Sequence, residues 1–224
     1  MEVLEAIAAR KSIRGFAPDP VPVEILRGVL EAATHAPSAM NSQPWEFYVL
    51  GGEVLASVKR ANAEKLNAGI PPNPEHLVVG WGPDSVYRNR QVALAKQIFQ
   101  LMDISRDDAA GRAQWLQRGF RFFDAPAAVV IVVDSSLREG APLLDIGAVM
   151  QSICLAALTY GLGTCIEDQG VMYPDVIREF TGMPESKRIV ISIAIGYPDG
   201  QFAANRVDSA REPLDGISTW CGFA

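Results

Sequence analysis

The chain has 224 residues, 49% apolar and 21% charged, with a formal charge of −6. That length buries a full core without disulfide or metal staples, and the acidic balance weighs against nucleic acid or an anionic membrane surface as partner. Three scattered cysteines (Cys154, Cys165, Cys221) and two histidines give neither a disulfide framework nor a metal-ligand spacing, so no metal is expected. Glu2 and Glu5 interrupt the first apolar stretch, unlike a signal peptide, and the run Ala125 to Val133 is too short to span a bilayer as a helix. The expectation is a cytoplasmic protein forming one domain over residues 1–224.

Val3, Leu4, Ile7 and Ala8 recur at helical spacing and predict a first helix ending near Arg10. A second helix follows Pro22 through Ile25, Leu26, Val29, Leu30 and Ala33, with the proline near its start. Trp45 to Leu50 reads as a strand and Val54 to Leu66 as a third helix. Gly69 to Asp84, with four prolines and three glycines, is long for a structureless connection, and such segments are often lids or binding loops. Val92 to Met102 and Ala109 to Arg118 are helical by pattern, and Ala127 to Val133 is apolar on both faces, as in a strand buried on two sides.

Leu143 to Tyr160 is a long helix with apolar residues on nearly every face, central to a domain or to an interface. Gly161 is placed to end it, because glycine tolerates the positive φ of a helix C-terminus. Thr164 to Glu167 and Arg188 to Ile195 are strands flanking a short helix at Pro174 to Phe180, and the tail after Gly200 has no period. Strands separated by helices point to a layered α/β domain, with strand direction left open.

Two segments carry the chemistry. Arg10, Ser12 and Arg14 alternate, with Lys11 between them. In extended backbone the alternating groups share a side, and two guanidiniums with a hydroxyl suit an anion such as a phosphate. The cluster reads equally as solvated charge balancing the preceding helix C-terminus. Ala36 to Trp45 is polar and rich in turn formers, yet it runs directly into the first strand; it serves either as a ligand-presenting loop or as a plain connection. Glu167 and Asp168 follow a buried strand, where ligand-facing loops commonly begin. Cys165 reads as a small buried hydrophobe, and Arg206 and Arg211 stand near Asp208 and Glu212 as candidate surface ion pairs.

These segments resemble the FMN-dependent nitroreductase family. Its Arg-Arg-Ser-x-Arg-x-Phe motif is matched by Arg10-Lys11-Ser12-Ile13-Arg14-Gly15-Phe16, and Ala-Pro-Ser-x-x-Asn-x-Gln-Pro-Trp by Ala36 to Trp45. Gly161 to Thr164, following a helix that carries Asp145 and Gln151, and Ser209 to Leu214 are further matches, in the family order. The resemblance implies an α+β fold with a mixed central sheet flanked by helices, and an intertwined homodimer whose tail, residues 200–224, reaches the partner.

It further implies that Arg10, Lys11, Ser12, Arg14 and Arg211 hold the FMN phosphate and ribityl chain. Pro37, Ser38, Met40 and Asn41 would approach the flavin of the partner subunit, with Glu167 and Asp168 beside the ring. Residues 67–123 resemble a subgroup acting on nitrobenzene or nitrobenzoate compounds and would cover the active site. The implied activity is ping-pong hydride transfer from NADH or NADPH, through FMN, to a nitroaromatic, giving nitroso and hydroxylamino products. No protein side chain is assigned as a catalytic acid or nucleophile. Flavin or quinone reduction, reductive dehalogenation, or non-enzymatic flavin binding are the alternatives.

Overall fold

The computed structural model describes residues 2–76 and 80–223. Seven helices and four strands occur among them, in the chain order α1 (Val3–Ala9), α2 (Val23–Ala33), β1 (Glu46–Gly51), α3 (Gly52–Asn67), α4 (Val86–Leu101), α5 (Ala109–Phe120), β2 (Ala127–Asp134), α6 (Leu143–Thr159), β3 (Gly163–Glu167), α7 (Pro174–Thr181) and β4 (Lys187–Gly196). Part of the long segment Gly69 to Asp84, residues 77–79, lies outside the described residues.

The strands form one sheet in the order β1-β2-β4-β3, and every ladder among them is antiparallel. The helix-separated strands therefore do not build a doubly wound parallel sheet. The mixed character expected of the sheet is confined to one parallel bridge, Ser12 to Thr164, which lays the N-terminal segment along β3. Helices cover both faces, so the fold is the expected α+β layer arrangement.

The alternation of β2 assigns its side chains to two cores. Ala127, Val129, Ile131 and Val133 pack with α2 and α6, while Ala128, Val130 and Val132 pack with α3, α7 and the end of α5. A side-chain period of two on a strand covered on both faces requires this division. A bulge between Ile131 and Val132 skips Val190 in the pairing, so Val190 and Ile191 both lie on the α6 side. Each fully buried aliphatic side chain here contributes about 1.5–3 kcal/mol relative to exposure.

Local signals set the ends of the helices. Asp108 accepts the Gly111 N–H at 2.8 Å to cap α5. Ser85 accepts the Arg88 N–H at 3.2 Å, which starts α4 six residues before the Val92 of the periodic pattern. Gly161, at φ 71°, follows α6 in the left-handed conformation its sequence position demands.

α1 is the exception among the helices, since it has no buried residue and its Val3, Leu4 and Ile7 face outward.

Candidate functional site

The segment after α1 runs extended along the free edge of β3. Ile13 donates its N–H to the Thr164 carbonyl at 2.9 Å and buries its side chain over Gly163, where a Cβ would stand 2.5 Å from Ile13 Cγ1. With Ile13 turned inward, the alternating positions Ser12 and Arg14 take the other side. Arg14 Nη1 donates to the Ser12 carbonyl at 3.4 Å. Burial pushes the Cys165 thiol up to about 12, opposed by the neighbouring Arg14 charge and Ser12 hydroxyl. Cys165 is thus the inert buried hydrophobe its position suggests.

Arg10 and Lys11 line a cleft of about 370 Å³ with Arg206, the Gly161–Thr164 turn and the end of α6 at Leu158; Ser12 and Arg14 do not line it. Among the described residues, Arg10, Lys11, Arg14 and Arg211 have no carboxylate within ion-pair distance. Cations clustered at one sheet edge without acid partners form a donor set that an anion would complete.

The loop Ala36 to Trp45 lies elsewhere. Asp145, in the first turn of α6, accepts the Ala39 N–H at 3.1 Å, and Ser38 Oγ accepts the Gln43 N–H at 3.0 Å. Between these ties Met40, Asn41 and Gln43 adopt φ of 49°, 59° and 45°, left-handed conformations that cost non-glycine residues of order 1 kcal/mol each. Pro37, Met40 and Asn41 are exposed, Met40 completely, and Ser38 is half-buried. The loop attaches near Asp145 and the cationic cleft near Leu158, so the two segments sit at opposite ends of α6, about 20 Å apart along its axis.

Glu167 is the last residue of β3, and its side chain turns into the protein. Oε2 accepts the Gly170 N–H at 2.7 Å, and Ser192 Oγ stands 2.6 Å from Oε1 and 2.8 Å from the Glu167 carbonyl. Burial pushes its pKa up to about 8 against those hydrogen bonds. Asp168, half-buried, is likewise raised by desolvation, with His76 opposing.

Arg211 lines a second cleft of about 730 Å³, between α4 and the tail, whose apolar wall includes the stacked pair Trp81 and Tyr87, with ring centroids 4.8 Å apart. Its Nη1 donates to Ser209 and Ala210. Glu212 pairs with Arg90 of α4 at 2.9 Å, in place of the expected partner in the tail, because the tail lies against α4. The structure therefore brings Arg10 and Lys11 together, sets Ser12 and Arg14 beside them along β3, and lines separate surfaces with Arg211 and with Pro37 to Asn41.

Three residues that motif reading did not single out as site residues hold these parts: Asp145 on the loop, and Asn205 and Arg118 on the Arg14 backbone. Asn205 is buried in an aperiodic tail and Arg118 occupies an ordinary helix face. Neither carries a local signal, since their partners are remote in sequence.

The protein is thus a layered α+β domain whose sheet edge carries arginines without acid partners among the described residues, backed by a largely apolar helix. The Nitroreductase family profile matches residues 7–197, and the chain belongs to that family. It is 32% identical over 218 residues to the chloronitrobenzene nitroreductase of Comamonas testosteroni, covering 96% of this chain and 95% of that protein. It is 32% identical over 220 residues to the 4-nitrobenzoate reductase of Pseudomonas putida, covering 97% and 94%. Among solved structures it is similar to the FMN- and NADPH-dependent nitroreductase NfnB of Sphigopyxis sp. strain HMH, with a TM-score of 0.93, 29% identity and full coverage of both chains.

Proposed function

We propose that this chain is an FMN-dependent oxidoreductase that uses NADH or NADPH to reduce nitroaromatic compounds to nitroso and hydroxylamino products. The observation that carries the reading is the set of unpartnered cations beside β3, in a chain aligned end to end with enzymes named for that activity. The residue types suit the FMN phosphate: Arg10 and Lys11 would hold it at the cleft, with the Ser12 hydroxyl and Arg14 guanidinium approaching from the adjacent side of the same segment. Arg211, which lines a separate cleft in the single chain, would add phosphate and ribityl contacts in this reading. When bound, FMN supplies the hydride acceptor and donor, and the protein supplies orientation, electrostatics and exclusion of water. Glu167 and Asp168 would adjoin the flavin, and the half-buried Asp168 carboxyl would bear on its electronics.

The working unit in this reading is a homodimer. Pro37, Ser38, Met40 and Asn41 cannot easily share a cofactor with their own chain's Arg10 cluster across the length of α6, but a two-fold partner brings the loop to the other site. The outward Val3, Leu4 and Ile7 of α1 and the exposed Leu214, Ile217, Trp220 and Phe223 of the tail are apolar surface that such a partner would cover. Residues 67–123 cover the site and select the substrate, and Trp81 and Tyr87 give that region a stacking surface. No helix among the described residues is long and apolar enough to cross a membrane. A cytoplasmic location belongs to this reading and rests on the sequence.

The purified protein is expected to be yellow and to release FMN on denaturation. Arg10→Ala with Arg14→Ala is expected to empty the flavin site while the circular dichroism spectrum is retained. Unchanged occupancy would refute the phosphate role, and a wild-type preparation that refuses added FMN would refute the function.

A further inference from the structure

We propose that Arg118 and Asn205 are positioning residues for the anion clamp, fixing the Arg14 backbone so that its guanidinium is presented to the phosphate. The proposal rests on the FMN reading above and goes beyond it, because neither residue touches the ligand in that reading.

Arg14 is gripped at both of its peptide groups. Its N–H donates to Asn205 Oδ1 at 2.7 Å, and its carbonyl accepts from Arg118 Nη2 at 3.1 Å. The next residue is held by the same amide: Gly15 N–H donates to Asn205 Oδ1 at 3.1 Å, and the Gly15 carbonyl accepts from Asn205 Nδ2 at 2.7 Å. Asn205 Nδ2 also donates to the Asp199 carbonyl at 2.9 Å, so this one buried amide ties strand-like residues 14–15 to the loop after β4. The Arg14 guanidinium, by contrast, makes a single hydrogen bond among the described residues, the 3.4 Å contact to the Ser12 carbonyl. The backbone is fixed and the guanidinium is left available, the division of labour a preorganised binding group requires.

Arg118 is itself tied down through both of its Nη atoms, while its Nε is buried without a hydrogen-bond partner among the described residues. Nη1 pairs with Asp124 at 2.9 Å, Nη2 also reaches the Phe123 carbonyl at 3.3 Å, and the guanidinium lies 4.7 Å from the centre of the Phe202 ring. Asp124 is shared with Arg121, but both Arg118 Nη atoms are taken by protein oxygens, so Arg118 is a brace and not a second phosphate ligand. Its other partners belong to a left-handed turn of three successive residues, Phe122, Phe123 and Asp124, with φ of 53°, 52° and 61°. Three non-glycine residues in that region are held only by surrounding structure, and Arg118 bonds two of them while holding Arg14. Gly15 belongs to the same assembly, because a Cβ there would stand 2.1 Å from Phe202 Cγ.

The test compares FMN with riboflavin, which lacks only the phosphate, by fluorescence titration of flavin-depleted protein. Arg118→Met keeps the aliphatic stem over Phe202 and removes every guanidinium bond. It is expected to weaken FMN binding about tenfold and riboflavin binding less than about twofold, since only the phosphate reads the clamp. Arg118→Lys is expected to recover part of the loss, because one ammonium does not reproduce the fork that reaches Arg14, Phe123 and Asp124 together. Should Arg118→Met not fold, Asn205→Ser makes the same comparison with the same expected loss of preference.

Equal weakening of both flavins, no change in either, or complete recovery by lysine would each overturn the proposal. The first two would leave Arg118 a general structural residue or an idle one, and the third would make its charge alone the active feature. A wild-type protein that binds FMN no better than riboflavin would instead overturn the phosphate clamp itself.

Discussion

Replacing Glu167 by glutamine is expected to change the pH dependence of stability and to leave the fold intact. The Ser192 hydroxyl lies within hydrogen-bond distance of both Glu167 Oε1 and the Glu167 carbonyl, at 2.6 and 2.8 Å. A hydroxyl has one proton to donate, so both contacts are hydrogen bonds only when the carboxyl brings a second. A neutral Glu167 donates from Oε1 to Ser192, which donates to the carbonyl, while Gly170 N–H donates to Oε2. The glutamine amide reproduces that pattern, with its NH2 toward Ser192 and its oxygen toward Gly170.

The sign follows from the raised pKa of about 8 against an ordinary value of 4.5. Below 4.5 the acid is neutral whether folded or unfolded, and wild type and Glu167→Gln differ little. Between 4.5 and 8 only the unfolded chain gives up this proton, so wild type loses about 1.4 kcal/mol per pH unit relative to the variant. Above 8 both states are ionised and the difference levels off. For a chain of this size that slope is about 3–6 °C in Tm per pH unit. Thermal melts of both proteins from pH 5 to 9 measure it, with groups common to both cancelling in the difference. A Tm difference that stays constant across this range would refute the neutral-acid assignment.

Gly15→Ala is expected to lower Tm and weaken FMN binding together, since the new Cβ would meet Phe202 Cγ at 2.1 Å; Phe202→Ala added to it should recover part of the Tm. Asn62→Ala is expected to cost about 1–3 kcal/mol in guanidinium unfolding, because it takes the donor from two buried carbonyls. Those carbonyls are Phe120 at 3.0 Å and Gly170 at 2.8 Å, so this amide joins α3 to α5 and to the turn after β3. An Asn62→Ala variant as stable as wild type would show that water replaces the amide.

Helices and strands were legible wherever one period ran long enough. The apolar spacing of α2 and the two-faced run of β2 both appear in the structure as read. Motif order gave the cation cluster and the Ala36 to Trp45 loop, and the inert character of Cys165 followed from residue type alone. The early start of α4 was missed because Ser85 caps it across a stretch without apolar period. Strand direction was not legible either, since β2 and β4 pair as antiparallel neighbours across a long excursion through α6, β3 and α7.

The side-chain direction of Glu167 depends on Ser192, 25 residues away, and the brace on Arg14 depends on Asn205, 191 residues away. The sequence by itself determined which residues pair a cation with an extended backbone, which helix has no polar face, and which family these patterns join. Only the tertiary structure decided which cations remain without an acid among the described residues, which carboxyl turns inward, and that the cationic cleft and the loop occupy opposite ends of α6. The physical reason is range: periodicity and capping act over one or two turns of chain, whereas desolvation, hydrogen-bond partnership and distance are properties of neighbours that folding alone brings together.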